Sequence, residues 1–261
     1  MTETTRSADG TTIAFERTGD GPALILVGGA LSTRDGAGTL VPLLAGSFSV
    51  ITYDRRGRGD SGDSGDTPPY APAREVEDLS ALIEAAGGSA MVFGHSSGAV
   101  LSLEAAAAGA AITRLAVYEP PYLTDPSGGE VARKTAGEIQ AALDAGDRSE
   151  AVVLFIRSTG APFDPAAKDQ PWFPALAAVA HTLPYDLALV GDSSVPVERL
   201  AKIRVPTLGM YGGASPNWAR DSIAAVTGAI PGATQVVLEG QTHAASAESR
   251  APVLIEFFSQ P

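Results

Sequence analysis

The stretch Gly94-His95-Ser96-Ser97-Gly98 constrains this chain more than any other. An apolar run, Ala90-Met91-Val92-Phe93, leads into it, and residues 99–108, mostly alanine and leucine, follow. The run reads as a short buried strand and the second stretch as a helix. The pentapeptide therefore stands at a sharp strand-to-helix turn. Glycines are needed at both ends because the backbone folds so tightly there that a Cβ would collide with neighbouring chain. Ser96, at the apex, is forced out of the sheet with its Oγ exposed. This is the G-x-S-x-G pattern of a nucleophile elbow, in the strand–turn–helix context that the pattern requires. Without those flanks the same five residues read as an ordinary turn.

The rest of the chain supplies a sheet for that turn to sit on. Residues 11–16 alternate and predict a strand. Residues 23–27 form a continuous apolar run, as in a parallel strand buried on both faces. The run ends in Gly28-Gly29-Ala30-Leu31, where small side chains let a backbone N–H face open space. A helix is expected within residues 36–44 and strands at 48–53, 90–93, 115–118, 205–211 and 234–238. Apolar spacing predicts helices at 75–86, 222–229 and 251–258. The charged, glycine-rich segment Asp54-Arg55-Arg56-Gly57-Arg58-Gly59-Asp60 lacks the spacing of a phosphate-binding loop and reads as a structural turn. Between residues 122 and 203 the strand signals stop. Helical stretches follow one another, with prolines and aromatics clustered around Trp172 and Tyr185. Strands alternating with helices predict an α/β fold with a mostly parallel central sheet and helices on both faces. Residues 1–121 and 204–261 then form the core, and 122–203 an inserted helical cap.

Composition narrows the function classes. The 261 residues are 44% hydrophobic, enough for a sizeable core, and no apolar run is expected to reach the length of a membrane-spanning helix. The polar start, Met1 to Arg6, lacks an apolar signal core, and a cytoplasmic location is expected by default. Cysteine is absent, which excludes disulfides and thiolate metal sites. A net charge of −12 argues against nucleic acid or an anionic membrane as partner and suits a well-solvated surface.

Together these features resemble the α/β-hydrolase fold over nearly the whole chain. The glycine turn after residues 23–27, the Asp54–Gly59 loop, the elbow, the insertion and a histidine after the last strand all take part in the likeness. In that family the triad runs nucleophile, acid, histidine. The resemblance implies Ser96 as nucleophile and His243, in a small polar loop, as general base. His95 is expected to pack beside the elbow. The family's usual acid, an Asp after the strand ending at Tyr211, is missing, and Ser215 stands at about that place. Some members carry the acid after the strand that follows the elbow helix, and there this chain has Glu119 before two prolines. Glu119 is the expected acid. The alternatives are Asp221, or no residue, with Glu119 a solvent-facing strand end. Removal of Ser215 is expected to matter little. The likeness further implies an oxyanion hole from the N–H groups of Ser97 and Ala30. It implies substrate contacts from Leu31 and from the cap residues Trp172, His181 and Tyr185, and no metal or organic cofactor. Packing of the cap on the core is an equal explanation for the cap aromatics.

A narrower likeness, to zearalenone-type lactonases, rests on chain size, the Ser-Ser-Gly-Ala run and the glutamate after the next strand. It implies a small-molecule ester or lactone of moderate size as substrate. Three readings compete. One is hydrolysis of a carboxylic ester or lactone. Another is a different activity on the same triad: perhydrolysis, C–C bond hydrolysis, or a lyase or cyclase role. The third is a catalytically silent ligand-binding homologue. Dehalogenation is disfavoured, because its nucleophile is a carboxylate and here the apex is serine.

Overall fold

The computed structural model describes residues 1–63, 70–125, 128–160 and 163–260. Among these, eight strands form one sheet: β1 (Glu3–Arg6), β2 (Thr12–Thr18), β3 (Ala23–Val27), β4 (Ser49–Tyr53), β5 (Ala90–His95), β6 (Ile112–Tyr118), β7 (Thr207–Gly212) and β8 (Thr234–Leu238). Their order is β1-β2-β4-β3-β5-β6-β7-β8. The β1–β2 and β2–β4 pairs are antiparallel, and every pair from β4 to β8 is parallel. The polar N-terminus, for which no strand was expected, supplies β1. Four mostly exposed residues at a sheet edge carry no apolar alternation that would betray them.

The helices are α1 (Leu40–Leu44), α2 (Pro72–Ala85), α3 (Ser97–Ala107), α4 (Gly128–Asp144), α5 (Arg148–Ser158), α6 (Phe173–Val179), α7 (Leu183–Val190), α8 (Val197–Leu200), α9 (Asn217–Ala229) and α10 (Ala247–Phe258). Alternate strand residues feed two cores. Ile25, Val27, Ile51, Val92, Leu115 and Val117 pack with Leu79 and Leu82 of α2, Val100 and Leu101 of α3, and Ile223 and Val226 of α9. Leu24, Leu26, Val50, Phe93 and Met210 face the other way, onto Leu40 and Leu44 of α1 and Leu254 and Phe258 of α10. Burial of each such side chain contributes about 1.5–3 kcal/mol. Helix α3 is buried along most of its length, which explains its run of Ala, Val and Leu in place of an amphipathic stripe.

Helices α4 to α8 lie between β6 and β7 in the chain. Ile139, Val152, Phe173, Val179 and Leu183 form a third hydrophobic cluster, and Leu31 joins it from the turn after β3. Leu189, Leu200 and Ile203, later in the same segment, pack into the sheet's own core. The run Phe173–Val190 has the length and apolarity of a membrane-crossing helix, with a mean hydropathy of 1.3. Pro174, Pro184 and Asp186 mask this in the sequence. A 3-10 turn at Ala180–Thr182 divides the run into α6 and α7.

Parallel strands bring their carboxyl ends to one edge. The turns after Val27, His95, Tyr118, Gly212 and Leu238 therefore meet there, at the place where open α/β sheets hold their ligands.

Candidate active site

Ser96 joins β5 to α3 with φ 57° and ψ −126°, a backbone conformation that side chains rarely adopt. Such strain costs roughly 1–3 kcal/mol and persists only where the surroundings enforce it. The Ser96 N–H donates to the Tyr118 carbonyl at 2.9 Å. A Cβ on Gly94 would stand 2.5 Å from the Gly98 carbonyl oxygen, and one on Gly98 only 2.3 Å from that of Val27. The elbow is thus wedged against the end of β3. A Cβ on Gly29 would lie 2.9 Å from Ser96 Cβ, so the turn carrying Ala30 presses on the apex serine.

The two expected oxyanion donors lie on either side of this contact. The Ser96 carbonyl accepts from the N–H groups of Ala99 (2.9 Å) and Val100 (3.3 Å). Carbonyl and N–H point in opposite directions across one planar peptide. The Ser97 N–H therefore points away from the helix, and at the first helical position it has no intrahelical acceptor. Leu31 has φ 60° and is buried in the cluster formed by α4 to α7. Ala30 is half-buried against the same cluster.

Glu119 and His243 meet as the resemblance implied. Glu119 is fully buried, with φ 47°, and its Oε2 lies 2.6 Å from His243 Nδ1. Its Oε1 accepts from the Gly212 N–H at 2.7 Å and from Ser215 Oγ at 2.6 Å. Burial pushes this carboxyl up, but the bonds from His243, Ser215 and Gly212 outweigh it and hold it below the usual range. Asp221 instead pairs with Arg220 at 2.9 Å. Ser215, at the place where the resemblance implied an aspartate, hydrogen-bonds Glu119, the expected acid.

Two further side chains hold the loop of His243. Tyr118 Oη donates to the Thr242 carbonyl at 2.7 Å. His95 Nε2 lies 3.0 Å from the His243 carbonyl, and since a carbonyl only accepts, that nitrogen carries the proton. Burial, and then the neighbouring His243, push His95 down to about 3. The His95 and His243 rings are 4.8 Å apart, and the Trp218 ring lies 5.8 Å from that of His243. Among the described residues no hydrogen bond joins Ser96 Oγ to His243. Such bonds are often long in a free enzyme and tighten with substrate bound.

The expected cap contacts fall in different settings. Trp172 is half-exposed beside Phe173. Among the described residues, His181 Nδ1 is enclosed with no hydrogen-bond partner. Tyr185 stacks on Tyr70 at 4.2 Å and donates to Asp63 at 3.0 Å. Among the described residues no hydrogen bond or ring contact joins Trp172, His181 or Tyr185 to Ser96 or His243.

The loop after β4 holds what the sequence concealed. Arg55, Arg56 and Arg58 are all buried. Arg55 donates to Glu75 at 2.5 and 2.7 Å and to Asp186 at 2.6 Å. Burial opposes its charge, but Glu75 and Asp186 outweigh burial and hold the guanidinium above its ordinary range. Arg56 pairs with Asp78 and Asp9. Arg58 reaches Asp186 at 2.6 Å and Thr182 Oγ1 at 3.0 Å. Among the described residues no group of three or more His, Cys, Asp or Glu side chains is arranged to hold a metal ion.

A profile of the alpha/beta hydrolase family matches residues 24–256, from β3 to α10. The chain belongs to the alpha/beta hydrolase family. This hydrolase is 53% identical to a crystallised alpha/beta hydrolase from Sphaerobacter thermophilus DSM 20745, with a TM-score of 0.91 over 98% of this chain and 100% of that one. A hydrolase from Pseudomonas aeruginosa PA01 superposes with a TM-score of 0.81 at 26% identity, over 99% and 98% of the two chains. The uncharacterized hydrolase YraK of Bacillus subtilis (strain 168) is 30% identical over 155 residues, 59% of this chain; the match spans 56% of that relative's length.

Proposed function

We propose that this hydrolase cleaves a carboxylic ester or lactone through an acyl-enzyme on Ser96, with His243 as general base and Glu119 as acid. The observation that carries this reading is the 2.6 Å contact between Glu119 and His243 Nδ1, made by a carboxylate whose other oxygen is already satisfied. Held ionised, Glu119 accepts the Nδ1 proton. His243 Nε2 then has a free lone pair to take the Ser96 proton as Oγ attacks the carbonyl carbon. The oxyanion is received by the N–H groups of Ala30 and Ser97. His243 returns the proton to the leaving alcohol, and water repeats the sequence on the acyl-enzyme. No step calls for a cofactor.

The substrate is a small molecule lying between the elbow and helices α4 to α7, which act as the cap. Leu31 and the cap residues Trp172, His181 and Tyr185 are its proposed contacts. An enclosed imidazole nitrogen without a partner, as in His181, suits a polar substrate group that would satisfy it. A panel of p-nitrophenyl esters and lactones of graded size, run with wild type and Ser96→Ala, tests the reading. Hydrolysis lost in Ser96→Ala supports it. A folded wild type inert on the whole panel, or activity retained in Ser96→Ala, would sink it.

A further inference from the structure

Asp186 lies on α7, in the segment between β6 and β7, yet its carboxylate is buried among groups of the core. Oδ1 accepts from Arg55 Nη1 at 2.6 Å and from Ser97 Oγ at 2.7 Å. Oδ2 accepts from Arg58 Nη2 at 2.6 Å. Glu75 balances the second positive charge through its paired bonds to Arg55. Two cations and two anions are thereby enclosed, each at most 2% exposed. Such a cluster is poor value as a source of stability, since desolvation offsets the attraction; fixing one arrangement is its better-attested use.

What it fixes can be read from the peptide planes. Arg58 Nη1 donates to the Gly29 carbonyl at 2.7 Å and to the Ser32 carbonyl at 3.2 Å. Ser32 Oγ also donates to Gly29 O, at 2.6 Å. The Gly29 carbonyl and the Ala30 N–H belong to the same planar trans peptide and point in opposite directions. Drawing that oxygen toward Arg58 aims the Ala30 N–H the other way. On the elbow side, Ser97 gives its hydroxyl to Asp186 and is nearly sealed from solvent at 3% exposure. One carboxylate therefore grips both turns: Ala30's through Arg58, Ser97's directly.

We propose that Asp186 is a positioning residue for the oxyanion hole, setting the Ala30 and Ser97 N–H groups relative to one another from the seated α7 helix. The inference rests on the proposed acyl-enzyme mechanism. It adds that α7, besides walling the substrate, completes the alignment of the donors. Burial pushes the Asp186 carboxyl up, but Arg58 and Arg55 outweigh it and keep it ionised, as the role requires.

The test uses the full chain with p-nitrophenyl acetate as substrate. A trifluoromethyl ketone, 1,1,1-trifluoro-3-phenylpropan-2-one, serves as tetrahedral-adduct probe, and the corresponding alcohol, which forms no oxyanion, as its control. The variants are Asp186→Asn, Arg58→Lys and Ser97→Ala. Loss of a whole oxyanion donor lowers kcat by about 10²–10³, so misalignment is expected to lower it by about tenfold in Asp186→Asn and Arg58→Lys. In Ser97→Ala, which keeps its N–H and both Arg–Asp186 pairs, the expected loss is about threefold or more, scaled from the same range. KM should stay nearly constant, and affinity for the ketone should fall by the same factor as kcat while affinity for the alcohol holds. A folded variant set with unchanged kcat overturns the proposal. So does a loss of stability that leaves the ketone-to-alcohol affinity ratio at the wild-type value, because that is a purely structural role. Should Asp186→Asn fail to fold, Arg58→Lys and Ser97→Ala decide. Activity surviving in Ser96→Ala defeats the acyl-enzyme reading itself, whereas Ser96-dependent activity with an unmoved ratio defeats this inference alone.

Discussion

Ser215 Oγ donates to Glu119 Oε1 at 2.6 Å, across 96 residues of chain. The end of β7, where the resemblance to the family implied an aspartate, here holds a glutamate that arrives from β6. Replacing Ser215 with alanine removes one of three bonds to an ionised acceptor, a loss of about 1.5–3 kcal/mol for a bond to a charged group. Because of this bond the small effect expected from the sequence is revised: a several-fold drop in kcat is expected, with KM little changed, measured on whichever ester the wild type accepts. Wild-type kcat in Ser215→Ala would show that Gly212 and His243 suffice.

Glu119→Gln should keep the fold, because the Gly212 N–H and the Ser215 hydroxyl still find an oxygen. The amide nitrogen then faces His243 Nδ1 and favours the tautomer with its proton on Nε2, the wrong one for a base. The comparable change in a serine protease lowers kcat by about 10⁴. A fall of that order in steady-state assays is expected, with Asp221→Asn near wild type. The reverse ranking of the two variants would mean that the acid is misassigned.

An organophosphonate should label Ser96 and spare Ser97. Ser97 Oγ is buried and committed to Asp186, whereas Ser96 is half-exposed at the apex. Peptide mapping by mass spectrometry reads the site directly, and a modified Ser97 would contradict the elbow geometry.

His95 gives the fold a pH dependence of its own. Its folded value of about 3 lies below the roughly 6.5 of an unfolded histidine. The unfolded chain therefore takes up the proton first, and stability is lost as pH falls through that window, by up to about 1.4 kcal/mol per pH unit. Between about pH 6.5 and 5, above the ordinary carboxylate range, the slope is least mixed with other groups. Urea unfolding of wild type and His95→Gln across that interval should give a shallower slope for the variant. Equal slopes would show that His95 does not titrate with folding.

The parts of this fold legible in the sequence are those whose signal is local. The strand before Ser96 is an apolar run, the turn after it is bounded by glycines, and the buried α3 is rich in Ala, Val and Leu. Glu119 needed the likeness to a family, because nothing beside it in the chain announces a histidine 124 residues away. Ser215, Tyr118 and His95 were invisible as supports of Glu119 and His243, since each acts through one long-range hydrogen bond. The loop after β4 is a structural turn, as its sequence suggests, but its burial was not legible. Arginines among glycines and aspartates have the composition of an exposed turn, and the carboxylates that permit their burial, Glu75 and Asp186, lie elsewhere.

Arg58 waits in that loop for a carboxylate that follows it by 128 residues. Chimeras that exchange the segment between β6 and β7, to borrow another substrate range, inherit this requirement. A donor segment without an anion at the depth of Asp186 would leave Arg58 enclosed without its carboxylate and Arg55 with Glu75 alone, and removing one partner of a buried pair typically destabilises by about 3–5 kcal/mol. A workable graft must bring that carboxylate with it, or Arg58 must change in the same step. Segment and sheet are in this respect a single unit of inheritance.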